Sequence, residues 1–167
     1  ADVEKAAKAA AAHKFRNAGQ VCISPTRFLV QENAYERFAD AFVKEAEALK
    51  VGNGLEDGVQ MGPLVAERRL DVMEDFVKDA VDHGAKLRTG GERMGNIGTF
   101  WAPTVLTDVP RDAKIFNEEP FGPLAPMTPI KTLDDMIEEA NRLTFGLAAY
   151  AFTSSGKAAN ARAGYVD

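Results

Sequence analysis

Phe15-Arg16-Asn17-Ala18-Gly19-Gln20-Val21-Cys22, continued by Ile23-Ser24-Pro25 and the run Thr26 to Val30, joins an alanine-rich segment to one rich in β-branched and aromatic residues. Residues 2 to 15 carry Ala and Lys, good helix formers, with Asp2 placed as an N-cap and Gly19 available just past the end. Pro25 disfavours helical geometry at Ser24, and Thr26 to Val30 has the bias of a buried strand. Cys22 is therefore expected in a helix-to-strand connection, presented on a polar, glycine-containing turn and not sealed inside an element.

Beyond this junction, Asn33 followed by Glu36 resembles a capping box. Tyr35, Phe38, Ala39, Phe42, Ala46 and Leu49 then recur at helical spacing. Lys50 to Gly62 holds four glycines and no period, so it reads as a loop, closed by Pro63. A second long helix places Leu70, Met73, Phe76, Val77, Ala80 and Val81 on one side, with Gly84 as C-cap. Short strands are expected at Lys86–Thr89 and Thr104–Thr107, separated by a glycine-rich loop or hairpin tip. Leu124–Ile130 is a further strand, interrupted by Pro126 and Pro129; Thr132–Leu143 is a capped helix and Ala148–Thr153 a last strand. Strands alternating with helices predict an α/β fold, a largely parallel sheet with helices on both faces.

The 167 residues suffice for one domain with a sizeable core, and 46% hydrophobic against 27% charged residues is a globular balance. A net charge of -5 with both signs interspersed argues against a nucleic-acid partner. The longest apolar stretch, Leu147 to Phe152, is too short to span a bilayer, and the start lacks a basic-then-apolar leader, so no membrane partner and a cytoplasmic location are expected. One cysteine cannot close a disulfide within the chain or supply a cysteine-rich zinc site, and no metal is expected.

A lone cysteine is ordinarily a small hydrophobe, but Phe15 to Cys22 resembles the Phe-x-Asn-x-Gly-Gln-x-Cys signature of the aldehyde dehydrogenase superfamily. Glu118-Glu119-Pro120-Phe121-Gly122-Pro123 is similar to that family's Glu-Glu-x-Phe-Gly-Pro segment. Gly62-Pro63-Leu64, Pro103-Thr104-Val105-Leu106 and Phe145-Gly146-Leu147-Ala148-Ala149-Tyr150 extend the likeness in the expected order. The resemblance implies that Cys22 is the catalytic thiol, attacking an aldehyde to form a thiohemiacetal and then a thioester. It implies that Glu119 hydrogen-bonds the ribose of NAD or NADP and that Phe121 packs at the nicotinamide end. Arg16, six positions before the thiol, is implied as a bidentate clamp on a distal carboxylate, as in the succinate-semialdehyde dehydrogenase branch, whose Lys-Phe-Arg-Asn-x-Gly-Gln stretch is like Lys14 to Gln20. Asn17, Gly19 and Gln20 would shape the loop: amides lack a pKa for proton transfer, and glycine supplies backbone angles that other residues resist. Ser24 stands where some members have a second cysteine, so no redox switch is expected.

The resemblance also implies parts that are not in these 167 residues. The water-activating glutamate belongs farther upstream than the 21 residues before Cys22, and no Gly-x-Gly-x-x-Gly fingerprint marks a Rossmann-like cofactor domain. The ending Arg162 to Asp167 departs from the pattern expected after Asn160. The expectation is a catalytic-domain portion over 1–167, inactive alone, of an enzyme that takes a small aldehyde and is a homo-oligomer at full length. Two alternatives stay open: a non-catalytic α/β interaction or assembly domain, and a cysteine hydrolase in which His13 serves as the base.

Overall fold

The computed structural model describes residues 1–156. Arg162 to Asp167 and Asn160, whose pattern was singled out above, lie outside them.

Helix α1 runs Val3–Phe15, and the Asp2 side chain accepts from the Lys5 N–H at 3.2 Å, as the N-cap position requires. Strand β1 is Phe28–Gln31 and helix α2 is Glu32–Glu47. The expected capping box at Asn33 and Glu36 does not form. The strand passes straight into the helix, so Gln31 is the extended N-cap and makes no side-chain cap bond, while Asn33 already lies within the first turn. Helix α2 buries Tyr35, Phe38, Ala39, Phe42 and Ala46, the stripe read from the sequence. Phe42 is the hub: its ring centroid lies 5.7 Å from Phe15 of α1, 5.1 Å from Phe28 of β1 and 5.9 Å from Phe38. Phe15, the first residue of the octet, is thus anchored in the core, which fixes where the loop after it begins.

Helix α3 (Arg68–Asp82) follows the glycine-rich loop and ends at Gly84, whose φ of +103° is left-handed. Strands β2 (Lys86–Thr89), β3 (Thr104–Thr107) and β4 (Leu124–Ile130) complete a four-stranded sheet in the order β1-β4-β3-β2. Strand β4 lies parallel to both β1 and β3, and β2 is antiparallel to β3 with a register shift between Leu87 and Thr89. All four residues of β3 are buried, so both faces of the sheet are covered there. The fold is α/β, with a mostly parallel open sheet and helices.

Two prolines in a central strand look forbidden, yet the stagger of the neighbours admits them. The Thr104 N–H reaches the Pro123 carbonyl and the Val109 N–H the Met127 carbonyl, so odd-numbered positions of β4 face β3 and even-numbered ones face β1. Pro129 faces the β3 side after β3 has ended at Thr107. Pro126 faces the β1 side below Phe28, which pairs with Met127. Neither proline removes a ladder bond that the strand would otherwise make.

Helix α4 spans Leu133–Ala140 and carries a complete capping box between Thr132 and Asp135. It stops short of Leu143 because Arg142 folds back, its guanidinium bonding to the Glu139 carboxylate at 3.0–3.1 Å and donating to the Phe116 carbonyl at 3.1 Å. Glu139 is fully buried and also receives Arg27 at 3.0 Å and Arg111 at 3.1 Å. One carboxylate therefore ties the entry to β1, the loop before the Lys114–Phe116 turn and the end of α4 together. The strand expected at Ala148–Thr153 is absent: the segment is mostly exposed and finds no ladder partner among the described residues. Apolar composition favoured a strand, but a strand exists only where another offers its backbone groups.

Candidate functional site

The octet leaves α1 through three successive left-handed residues, Asn17 (φ +50°), Ala18 (φ +54°) and Gly19 (φ +71°). The sequence reading had Gly19 alone as the residue past the helix end; the turn takes three because the chain must reverse sharply to reach Cys22. Side-chain amides hold it. Asn17 Nδ2 donates to the Gln20 carbonyl at 3.1 Å, and Gln20 Nε2 donates to the Asn17 carbonyl at 3.1 Å. Gln20 also reaches outward, donating to the Pro63 carbonyl at 3.3 Å and accepting from the Val65 N–H at 2.9 Å. It thereby clamps the Gly62-Pro63-Leu64 turn to the loop. Ser24 Oγ donates to the Lys14 carbonyl at 3.3 Å, closing the loop at its other end.

Gly19 meets the second motif directly. A Cβ there would lie 2.1 Å from the Gly122 carbonyl oxygen, a distance that no side chain survives, so the Glu118–Pro123 segment packs backbone against backbone on the octet. Gly122 in turn has no room for a Cβ, which would fall 2.2 Å from Met73 Sδ of α3. Arg69, from the first turn of α3, donates to the Pro120 carbonyl and, at 3.5 Å, to that of Phe121, whose φ is +43°. Tyr150 brings in the last of the similar segments: its hydroxyl donates to the Ile23 carbonyl at 2.9 Å, beside Cys22.

Cys22 is exposed, and its backbone N–H makes no hydrogen bond among the described residues. Arg16 is exposed and has no ion-pair or hydrogen-bond partner among them. Glu119 and Phe121 are exposed on the neighbouring segment, Phe121 at 38%. The octet and the Glu119–Phe121 segment are therefore brought together by the Gly19 contact, with thiol, guanidinium, carboxylate and ring all open to solvent. A thiol can act as a nucleophile, a carboxylate accepts hydrogen bonds and an aromatic ring can support a flat group, and these two joined loops expose one of each. His13 is not joined to the thiol; it packs against Tyr150 with ring centroids 5.4 Å apart and makes no hydrogen bond to Cys22. No cluster of His, Cys, Asp or Glu suited to a metal occurs among the described residues, and no helix there is long and apolar enough to cross a membrane.

The sequence reading missed two residues. Arg69, which holds the Pro120–Phe121 turn, looked like one surface charge among many. Lys14 was read only as part of the Lys14-to-Gln20 stretch, yet it is fully buried and its amine has no hydrogen-bond partner within the protein. Burial pulls that amine down to about 7, while the Glu119 carboxylate pushes it back upward. The clue lay in the spacing, since Ala7, Ala10, Ala11 and Lys14 share one helix face and the three alanines are buried.

The whole of residues 1–166 matches the family model described as the aldehyde dehydrogenase family. The chain is 48% identical over 155 residues to a mitochondrial succinate-semialdehyde dehydrogenase of Oryza sativa subsp. japonica, covering 93% of this chain and 29% of that protein. It is 45% identical over 150 residues to an NADP(+) succinate-semialdehyde dehydrogenase of Escherichia coli (strain K12), covering 90% and 31%. A solved succinate-semialdehyde dehydrogenase from Burkholderia pseudomallei superposes with a TM-score of 0.97 at 39% identity, over 99% of this chain and 34% of that one. The chain spans about a third of the length of these relatives. With its motifs assembled in space as well as in order, the chain belongs to the aldehyde dehydrogenase family.

Proposed function

We propose that the chain is the thiol-bearing portion of a NAD(P)-dependent aldehyde dehydrogenase acting on a short aldehyde with a carboxylate at its far end, succinate semialdehyde being the model substrate. The observation that carries this reading is Cys22, exposed on a loop whose Gly19 packs against the segment bearing Glu119 and Phe121. The Cys22 thiolate bonds to the carbonyl carbon and the π pair moves to oxygen, where the open Cys22 N–H donates to the developing oxyanion. The Arg16 guanidinium pairs with the distal carboxylate and orients the carbonyl toward the sulfur. Glu119 accepts from ribose hydroxyls and Phe121 supports the ring, so that both fix the cofactor's approach. A nicotinamide cofactor, when bound, supplies the hydride acceptor. The oxyanion re-forms the carbonyl as the C–H bond gives up hydride to that acceptor, leaving a thioester on Cys22; water then adds to the thioester carbonyl and the C–S bond breaks, releasing the carboxylate, the Cys22 thiolate and two protons to solvent. The three relatives described above are each named succinate-semialdehyde dehydrogenase, and one carries NADP(+) in its name; these names support the substrate class and the cofactor type.

The test uses a full-length protein containing this chain, assayed with succinate semialdehyde and with butyraldehyde, which lacks the carboxylate. Cys22→Ala abolishes turnover of both. Arg16→Ala raises KM for succinate semialdehyde roughly 10- to 100-fold, the worth of a charged hydrogen-bonded pair, and leaves butyraldehyde unchanged. Normal turnover by Cys22→Ala overturns the mechanism, and equal effects of Arg16→Ala on both aldehydes overturn the substrate class.

A further inference from the structure

We infer that Tyr150 is a positioning residue for the Cys22 N–H: its hydroxyl starts a relay of hydrogen bonds that runs through two peptide groups and ends on that open N–H, fixing it and strengthening it as a donor to the substrate oxyanion. The inference rests on the reading of the Cys22 N–H as the oxyanion donor.

The relay is read bond by bond. The Tyr150 hydroxyl donates to the Ile23 carbonyl at 2.9 Å, across 127 residues of sequence. That carbonyl and the Ser24 N–H belong to one peptide group, and the Ser24 N–H donates to the Val21 carbonyl at 2.8 Å, closing a turn over residues 21–24. The Val21 carbonyl and the Cys22 N–H belong to a second peptide group, whose N–H has no partner among the described residues. The relay therefore ends on an open donor beside an exposed thiol. A carbonyl that accepts a hydrogen bond leaves its own N–H more positive, so linked bonds polarise one another in sequence. Two supports hold the relay in place. Ser24 is buried and its Oγ donates to the Lys14 carbonyl at 3.3 Å, which ties the turn to the end of α1. The Tyr150 ring packs against His13 of the same helix with centroids 5.4 Å apart, so donor and turn are carried by one rigid element. Water can also serve an exposed carbonyl, but it must be ordered there at an entropic cost, whereas the phenol is already in place.

The experiment uses Tyr150→Phe, which keeps the ring against His13 and removes only the O–H. In the chain, 1H–15N NMR is expected to show the Ser24 and Cys22 amide protons moving upfield. The Gln20 amide, bonded to the Asn17 carbonyl outside the relay, keeps its position and serves as the internal reference. Unmoved Ser24 and Cys22 amides overturn the inference, and because this arm contains no substrate it is independent of the mechanism at Cys22. In a full-length protein containing the chain, Tyr150→Phe lowers kcat/KM for succinate semialdehyde roughly 2- to 8-fold, since a linked bond strengthens its neighbour by about 10–30% and a whole oxyanion donor is worth about 10²- to 10³-fold. Alkylation of Cys22 by iodoacetamide displaces iodide and builds no oxyanion, so its rate stays unchanged. Equal falls in alkylation and turnover show that Tyr150 holds the thiol and not the N–H, and overturn the inference. Shifted amides with unchanged turnover overturn the oxyanion reading, and with it the positioning role, while the relay itself stands.

Discussion

Two fully buried charges, Glu139 and Lys14, sit in the same fold under opposite conditions. Glu139 is surrounded by Arg27, Arg111 and Arg142, whose guanidinium groups fill its oxygens at 3.0–3.1 Å. Lys14 has nothing within hydrogen-bonding reach and feels one carboxylate through space. The first arrangement is a staple: desolvation is offset by short, charge-assisted bonds, and three separate segments are locked together. The second leaves an unsatisfied donor in place, and it does so beneath the loop that presents Cys22. Among the described residues two buried polar atoms are left without a partner, Lys14 Nζ and Thr107 Oγ1 of β3, whereas the Glu139 carboxylate is fully served.

The contrast predicts opposite responses to removing each charge. Glu139→Gln removes a fully buried carboxylate that serves three guanidinium groups, Arg27 half-buried and Arg111 and Arg142 exposed, and should destabilise the chain by about 3–5 kcal/mol, read from the midpoint of urea unfolding. Gly19→Ala tests the joint between the two regions. A left-handed alanine and the clash with the Gly122 carbonyl together should cost about 2–5 kcal/mol, read from the same urea midpoint.

Lys14→Met should run the other way, raising stability by about 1–4 kcal/mol at neutral pH, because an apolar side chain of similar length removes the orphaned donor. The same residue carries a pH signature. Its amine is depressed from 10.5 to about 7 in the fold, so between those values the unfolded chain holds the extra proton. Stability should therefore rise as pH climbs through that window, by at most about 1.4 kcal/mol per pH unit, and the rise should vanish in Lys14→Met. Thr132→Ala calibrates the scale. It breaks an exposed capping box whose backbone groups water can serve, at a cost of about 1 kcal/mol.

Much of this arrangement could be read before any coordinates. The stripe Tyr35 to Ala46, the strand Thr104–Thr107 and the Thr132 cap are local patterns whose cause lies within a few residues, and each appears where its pattern stands. Ala148–Thr153 failed as a strand because a ladder partner is a property of the sheet, and composition carries no information about who pairs with whom. Asn33 failed as a cap because β1 runs into α2 without a loop, a junction that no capping rule anticipates. In the site, Cys22, Arg16 and Glu119 were legible as motif residues. Lys14 and Arg69 were not, since the burial of the first and the Pro120 partner of the second are tertiary, and both look ordinary in their own neighbourhoods.

The order of residues by itself determined the helix positions, the strands Lys86–Thr89, Thr104–Thr107 and Leu124–Ile130, the left-handed need at Gly19 and membership of the family, because hydrophobic period, glycine and short motifs act through nearest neighbours. Tertiary structure alone decided that the Gly19 backbone rests on Gly122, that the Gln20 amide clamps the Pro63 turn, and that one buried charge is triply paired while the other is left alone. Those facts depend on which surfaces meet, and burial, hydrogen-bond satisfaction and electrostatic strength are defined only once they have met.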